Sequence, residues 1–209
     1  MKKVVLATIS VLAFSIYSQA LAQVREDREP EADTGKVQKQ AFESKEYMVV
    51  AANPYASWAG KQILEKGGSA IDAAVAIQAM LTLVEPQSSG IGGGAFILYW
   101  DNINKKLHTF DGRETAPQKA TPYIFIEDGQ TMRWIDAVVG GKAVGVPGVL
   151  KALEKAHTEF GSLAWNTLFD DAISTSRQCF TVSPRLERLV QLDVHPGLNN
   201  FLTAQNYFK

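Results

Sequence analysis

The chain has 209 residues, 46% hydrophobic and 21% charged, ordinary proportions for one globular domain or part of a larger one, which excludes a largely disordered protein. Lysine and arginine number 21 against 22 aspartates and glutamates, and no stretch clusters the basic residues on a helix, so the electrostatic footprint of a nucleic-acid binder is missing. Cys179 is the only cysteine, so no internal disulfide can form and the core must hold the fold. Phe180 and Val182 around it favour a small buried hydrophobe over a nucleophile.

Residues 1–22 open with Lys2 and Lys3, continue with an apolar run from Val4 to Tyr17 that is too short to span a bilayer, and end on Ala20-Leu21-Ala22. That order is a cleavable export signal with small residues at the −3 and −1 positions; an uncleaved N-terminal anchor is the alternative. Removal costs the chain two lysines and no acid. Residues 23–46 form a polar leader, dense in charge from Arg25 to Asp33 and without apolar periodicity.

The folded part is expected from residue 47 onward. The run 47-YMVVAA suits a buried strand, and 53-NPYASWAGKQILEKGG a helix stopped by Gly67-Gly68. Ser69 and Asp72 then make a capping box for a helix over Ala70 to Val84, which is apolar on nearly every face, ends before Pro86 and belongs in an interior. Its alanines predict close packing against a sheet or another helix. After 85-EPQSSGIGGG come a strand from Phe96 to Trp100, a turn over 101–105 and a returning strand from Leu107 to Asp111. A helix starting near Pro147 carries Val149, Leu150, Leu153, Ala156 and Phe160 on one face and stops at Gly161, and Ser183-Pro184 opens another that runs through Leu192.

The glycines at 90, 92, 93 and 94 ask for close approach of backbone. A phosphate loop needs Lys-Ser/Thr after its last glycine, and a dinucleotide fingerprint needs strand, glycines, helix in that order; here the order is helix, glycines, strand. A G-x-S-x-G nucleophile elbow is absent too, which leaves Ser88 and Ser89 as hydrogen-bonding loop residues. His108, His157 and His195 stand too far apart for a zinc site. Arg113, at the end of the returning strand in 111-DGRETAP, is open to two readings: a solvated arginine paired with Asp111 or Glu114, or a fork that grips a carboxylate through two parallel hydrogen bonds.

The segments 67-GGSAIDAAVAIQAMLTLVEPQSSGIGGGAFILYW, 111-DGRETAP, 143-AVGVPGVLKALEKAHTEFG and 183-SPRL resemble, in order, signatures of the gamma-glutamyltransferase family, the bacterial glutathione hydrolases. The resemblance runs from about Tyr47 to Leu192. It implies an α+β chain belonging to an N-terminal nucleophile hydrolase, an αββα sandwich exported to the periplasm or secreted, made as a precursor that cuts itself into a large and a small subunit. It further implies that the glycine-rich segment packs near the catalytic centre and that Arg113 binds the α-carboxylate of the donor, glutathione or another γ-glutamyl compound. No cofactor, metal, nucleic acid or, after signal cleavage, membrane is implied.

The sequence departs from the family pattern at Asp171-Ala172-Ile173 and Gln178-Cys179-Phe180, where packing after Trp165 is expected to differ. More consequentially, the family nucleophile is a threonine exposed by self-cleavage, normally within Thr-Thr-His, and no Thr-Thr pair occurs here. The 47–209 region is therefore expected to be a truncated N-terminal part of the large subunit, without the nucleophile and awaiting the small-subunit segment as partner. The alternatives are a non-catalytic exported binding module and an inactive remnant of an interrupted gene.

Overall fold

In the computed structural model residues 40–192 and 196–208 are described. The export signal, most of the polar leader and His195 lie outside them. From Phe42 onward the described residues form one unit.

Two helices make its centre. Asn53 caps α1 (Pro54–Glu65) by accepting from the Tyr55 amide, with Pro54 in the first turn where its missing N–H costs nothing. The helix ends in a Schellman turn: Gly67 at φ +84° lets the Gly68 amide reach the Ile63 carbonyl and its own amide reach Leu64. One residue on, Ser69 and Asp72 form the expected reciprocal box, and α2 runs Ala70–Val84. The two helices lie against each other through small residues. Ala56 and Ala59 are fully buried against Met80 and Val84, and a Cβ on Gly60 would come within 2.6 Å of Ile77.

The hairpin β1 (Ala95–Asp101) and β2 (Lys106–Gly112) is antiparallel, with Ile97 opposite Phe110 and Tyr99 opposite His108 on one face, and Leu98 opposite Thr109 and Trp100 opposite Leu107 on the other. The first face packs on α4 (Val149–Phe160) and on Ile71 of α2, burying Phe110, Ala152 and Ala156 beside Phe160. The second face is exposed. Between hairpin and α4 come a short hairpin, β3 (Ile126–Glu127) and β4 (Gln130–Thr131), the one-turn helix α3 (Trp134–Ala137) and a 3₁₀ turn at Gly141–Ala143. After α4 a 3₁₀ segment, Trp165–Phe169, inserts Leu168 between α2 and α4 to complete the main core with Ile63, Val75 and Leu153. Then follow α5 (Asp170–Gln178), α6 (Pro184–Gln191, capped by Ser183), α7 (Pro196–Asn200) and α8 (Leu202–Phe208).

Three expectations need correction. The run 47–52 belongs to no sheet: Val50 is 81% exposed and Met48 half exposed, because no strand among the described residues lies alongside to accept its backbone. Leu150 points outward and Ala152 takes the buried place on α4. Cys179 is exposed: it ends α5 at φ +65°, and that reversal turns Phe180 toward the α1–α2 core while the thiol stays outside. Among the described residues no helix is long and apolar enough to cross a membrane.

Candidate functional site

Three backbone segments meet where the glycines are. The Gly93 carbonyl accepts from the amides of Gly148 and Val149, both at 3.2 Å, and so caps α4, whose N-terminus has no side-chain cap. Thr115 and Val146 form an antiparallel bridge that ties the chain after β2 to the chain before α4. At this junction side chains have no room. A Cβ on Gly94 would lie 2.7 Å from the Gly112 carbonyl, 2.8 Å from a Glu114 carboxylate oxygen and 2.9 Å from the Arg113 Cα; one on Gly148 would lie 2.4 Å from the Gly112 carbonyl. Gly92, in contrast, faces open space. Close contact therefore requires glycine at Gly94, whereas neither space nor backbone requires it at Gly92.

The loop is held from below by a buried carboxylate. Glu85, at the end of α2, is 3% exposed. It accepts from Asn53 Nδ2 at 2.7 Å, Gln87 Nε2 at 2.5 Å and Arg185 Nη1 at 3.3 Å, while its backbone carbonyl takes the amides of Ser88 and Ser89. One side chain thus joins the N-cap of α1, the start of the loop and the first turn of α6. Burial alone would raise the Glu85 pKa, but hydrogen bonds from Asn53, Gln87, Ser183 and Arg185 outweigh it and hold the carboxyl below the ordinary glutamate value. The loop serines act as acceptors: Ser88 Oγ takes Arg185 at 2.8 Å and Ser89 Oγ takes Gln78 at 2.9 Å.

Arg113 stands on top of this junction. Its amide donates to Asp111 Oδ1 at 2.9 Å and its Nη1 to Glu114 Oε2 at 2.5 Å, with the arginine side chain two-thirds exposed. The surface pair read from the sequence is thus present, with Glu114 as partner, and it occupies one of the five guanidinium N–H donors. Arg113 lines an open groove of about 540 Å³ with Gly92, Pro117, Ile124, Phe125 and Lys142. That volume lies within the range of small-ligand sites, roughly 300–1,000 Å³. A wider groove of about 1170 Å³ between α2, α4 and α5 is mostly apolar, and two of its charged members, Lys151 and Glu154, pair with each other.

The histidines take separate places. His108 packs its ring 4.6 Å from that of Phe160, and His157 lies beside α2, 2.9 Å from the Leu163 carbonyl and 3.4 Å from Asp72. No group of three or more metal-ligating side chains occurs among the described residues. Sequence reasoning missed Glu85 and Lys142. A glutamate between a long apolar helix and Pro86 was the one available signal, for Glu85.

The family model of gamma-glutamyltranspeptidase matches residues 56–209. The glutathione hydrolase proenzyme of Bacillus subtilis (strain 168) is 42% identical over 73% of this chain and 26% of its own length, and glutathione hydrolase 3 of Arabidopsis thaliana is 34% identical over 91% of this chain and 29% of its own. Among solved structures, the gamma-glutamyltranspeptidase of Helicobacter pylori superposes at a TM-score of 0.74 and 30% identity, covering 80% of this chain and 48% of that one. That of Pseudomonas nitroreducens, in complex with L-DON, gives 0.71 and 33%, covering 78% and 48%. The chain spans about a quarter of the length of these curated relatives and about half of the solved chains.

Proposed function

The chain belongs to the gamma-glutamyltranspeptidase family, with an N-terminal nucleophile hydrolase fold, and from that premise we propose that it supplies the donor-gripping part of an enzyme that moves a γ-glutamyl group to water or an amino acid. The observation that carries the reading is the seating of Arg113. Its backbone is fixed by Asp111 and by the junction of glycine loop, β2 and α4, one N–H is held by Glu114, and the rest of the fork faces a groove of ligand size. A donor α-carboxylate in that groove gains two parallel charge-assisted hydrogen bonds, each worth on the order of 1.5–3 kcal/mol net. Glu114 keeps the guanidinium from swinging free, so little rotamer entropy is lost when the carboxylate arrives.

The chemistry of transfer needs a nucleophile with its own base and an oxyanion hole. In this reading the nucleophile is a threonine freed by self-cleavage and contributed by the small subunit, since none of the 209 residues forms a Thr-Thr pair. The chain is exported, with the signal cut between Ala22 and Gln23, and glutathione is the donor class suggested by the names of its relatives. N-terminal sequencing of the exported product checks the cut; an intact Met1 sinks it.

Arg113→Lys in the intact enzyme tests the grip. The substitution keeps the charge and loses the fork, so the donor KM should rise at least about tenfold. An unchanged KM would reduce Arg113 to a surface partner of Glu114.

A further inference from the structure

The groove beside Arg113 carries a second cation. Lys142, in the 3₁₀ turn before α4, lines the same wall-to-wall space, with Pro117, Ile124 and Phe125 supplying its apolar lining. Its side chain is 44% exposed and its ammonium is tethered by Glu127, with Met132 Sδ at 3.8 Å. An ammonium has three N–H donors, so at least one remains for a ligand, and an exposed ion pair screened by water gives up its lysine readily. The chain thus offers a forked cation and a point cation in one groove, each steadied by its own carboxylate, Glu114 and Glu127.

We propose that Lys142 is a specificity-determining residue that selects donors whose leaving group carries a carboxylate of its own. The proposal rests on Arg113 holding the donor's α-carboxylate. With that end fixed, the γ-glutamyl chain and its leaving group extend along the groove, and a second anionic group is the feature a lysine in its wall can read. Glutathione fits the class through its C-terminal glycine carboxylate, and so does a γ-glutamyl-glutamate unit. A donor with an uncharged leaving group would leave Lys142 to Glu127 alone and gain nothing from it.

The test compares two donors on the intact enzyme, glutathione and its glycinamide derivative, which keeps the α-carboxylate and lacks the second one. Wild type should favour glutathione in kcat/KM by about three- to tenfold, the scale of one charge-assisted contact at an open site. Lys142→Met should bring that ratio close to one, Lys142→Arg should preserve it, and Lys142→Glu should reverse it. The three side chains should be tolerated because Lys142 is exposed and its ion pair with Glu127 lies at the surface. γ-Glutamyl-glutamate should follow glutathione if the carboxylate, and not the cysteinyl-glycine portion, is what is read. Arg113→Lys should weaken both donors and leave the ratio standing. A ratio that Lys142→Met does not move, with Arg113→Lys still weakening both donors, overturns the selectivity and spares the donor-binding reading. Arg113→Lys without effect on either donor overturns that reading and the inference with it.

Discussion

Two glycines two residues apart in the same loop, Gly92 and Gly94, should respond oppositely to one added methyl group. At Gly94 the new Cβ meets the Gly112 carbonyl, a Glu114 carboxylate oxygen and the Arg113 Cα, all closer than 3.0 Å, and two of the three belong to backbone that cannot rotate away. Overpacking of this kind costs about 1–3 kcal/mol, and at about 2–4 °C per kcal/mol for a domain of this size Gly94→Ala should lower the melting temperature by roughly 2–12 °C. The displaced atoms include Arg113, so the donor KM should rise as well. At Gly92 nothing lies within 4 Å and the backbone is not left-handed, so Gly92→Ala should be neutral or stabilise by about 0.4–1 kcal/mol through the unfolded chain. Scanning calorimetry of the two variants of the intact enzyme, with donor kinetics on each, decides the matter. Melting temperatures within a degree of each other would refute the close approach of loop and β2 on which the site rests.

Glu85 should give stability a limb in acid: its folded pKa is held below the ordinary 4.5, so its contribution is complete above about that pH and is lost as pH falls through the folded value. Glu85→Gln should flatten that limb in a pH series of denaturant melts and cost about 2–3 kcal/mol at pH 7, since an amide cannot accept from Asn53, Gln87 and Arg185 together. Asp72, fully buried, accepts from the amides of Ser69, Ser162 and Leu163 through one oxygen, so Asp72→Ala should cost on the order of 3 kcal/mol, and Asp72→Asn less, in the same melts. Equal losses for the two would show that the carboxylate matters through its charge and not through the three N–H groups it collects.

What local chemistry could encode was legible. The box of Ser69 and Asp72 and the stop at Pro86 bounded α2, the turn over 101–105 placed the hairpin, and Gly67 marked the end of α1. The sequence-expected strand at 47–52 failed because an apolar run cannot say whether a neighbour will pair with it. Cys179 failed because Phe180 turns toward the core only after a positive φ at Cys179, and Val182 stays exposed. Site members that depend on long loops were invisible for the same reason: Lys142 meets Glu127 across fifteen residues of chain, and Asp72 meets Leu163 across ninety-one. Arg113 was singled out by resemblance, and its ion pair with Glu114 was open to reading from adjacency.

The outer face of the hairpin bears on how the site is completed. Phe96, Leu98, Trp100 and Leu107 are each more than half exposed there, an apolar surface of the kind that folded proteins keep for an interface. The inner face of the same two strands is packed on α2 and α4, so the exposure does not come from a poorly formed hairpin. In an αββα sandwich, the fold class of this family, a second sheet laid on this face would bury all four residues and pair them with inward residues of its own. Arg113 follows β2 directly, one residue beyond its end at Gly112, which places the donor groove at the rim of the face where the second sheet would lie. In the function proposed above, a catalytic threonine brought by that sheet would need no reach across the molecule to meet a γ-glutamyl group whose α-carboxylate Arg113 would hold. In that proposal the apolar face and the exposed cation would meet one requirement, a surface to dock the second sheet and a clamp for the donor beside it.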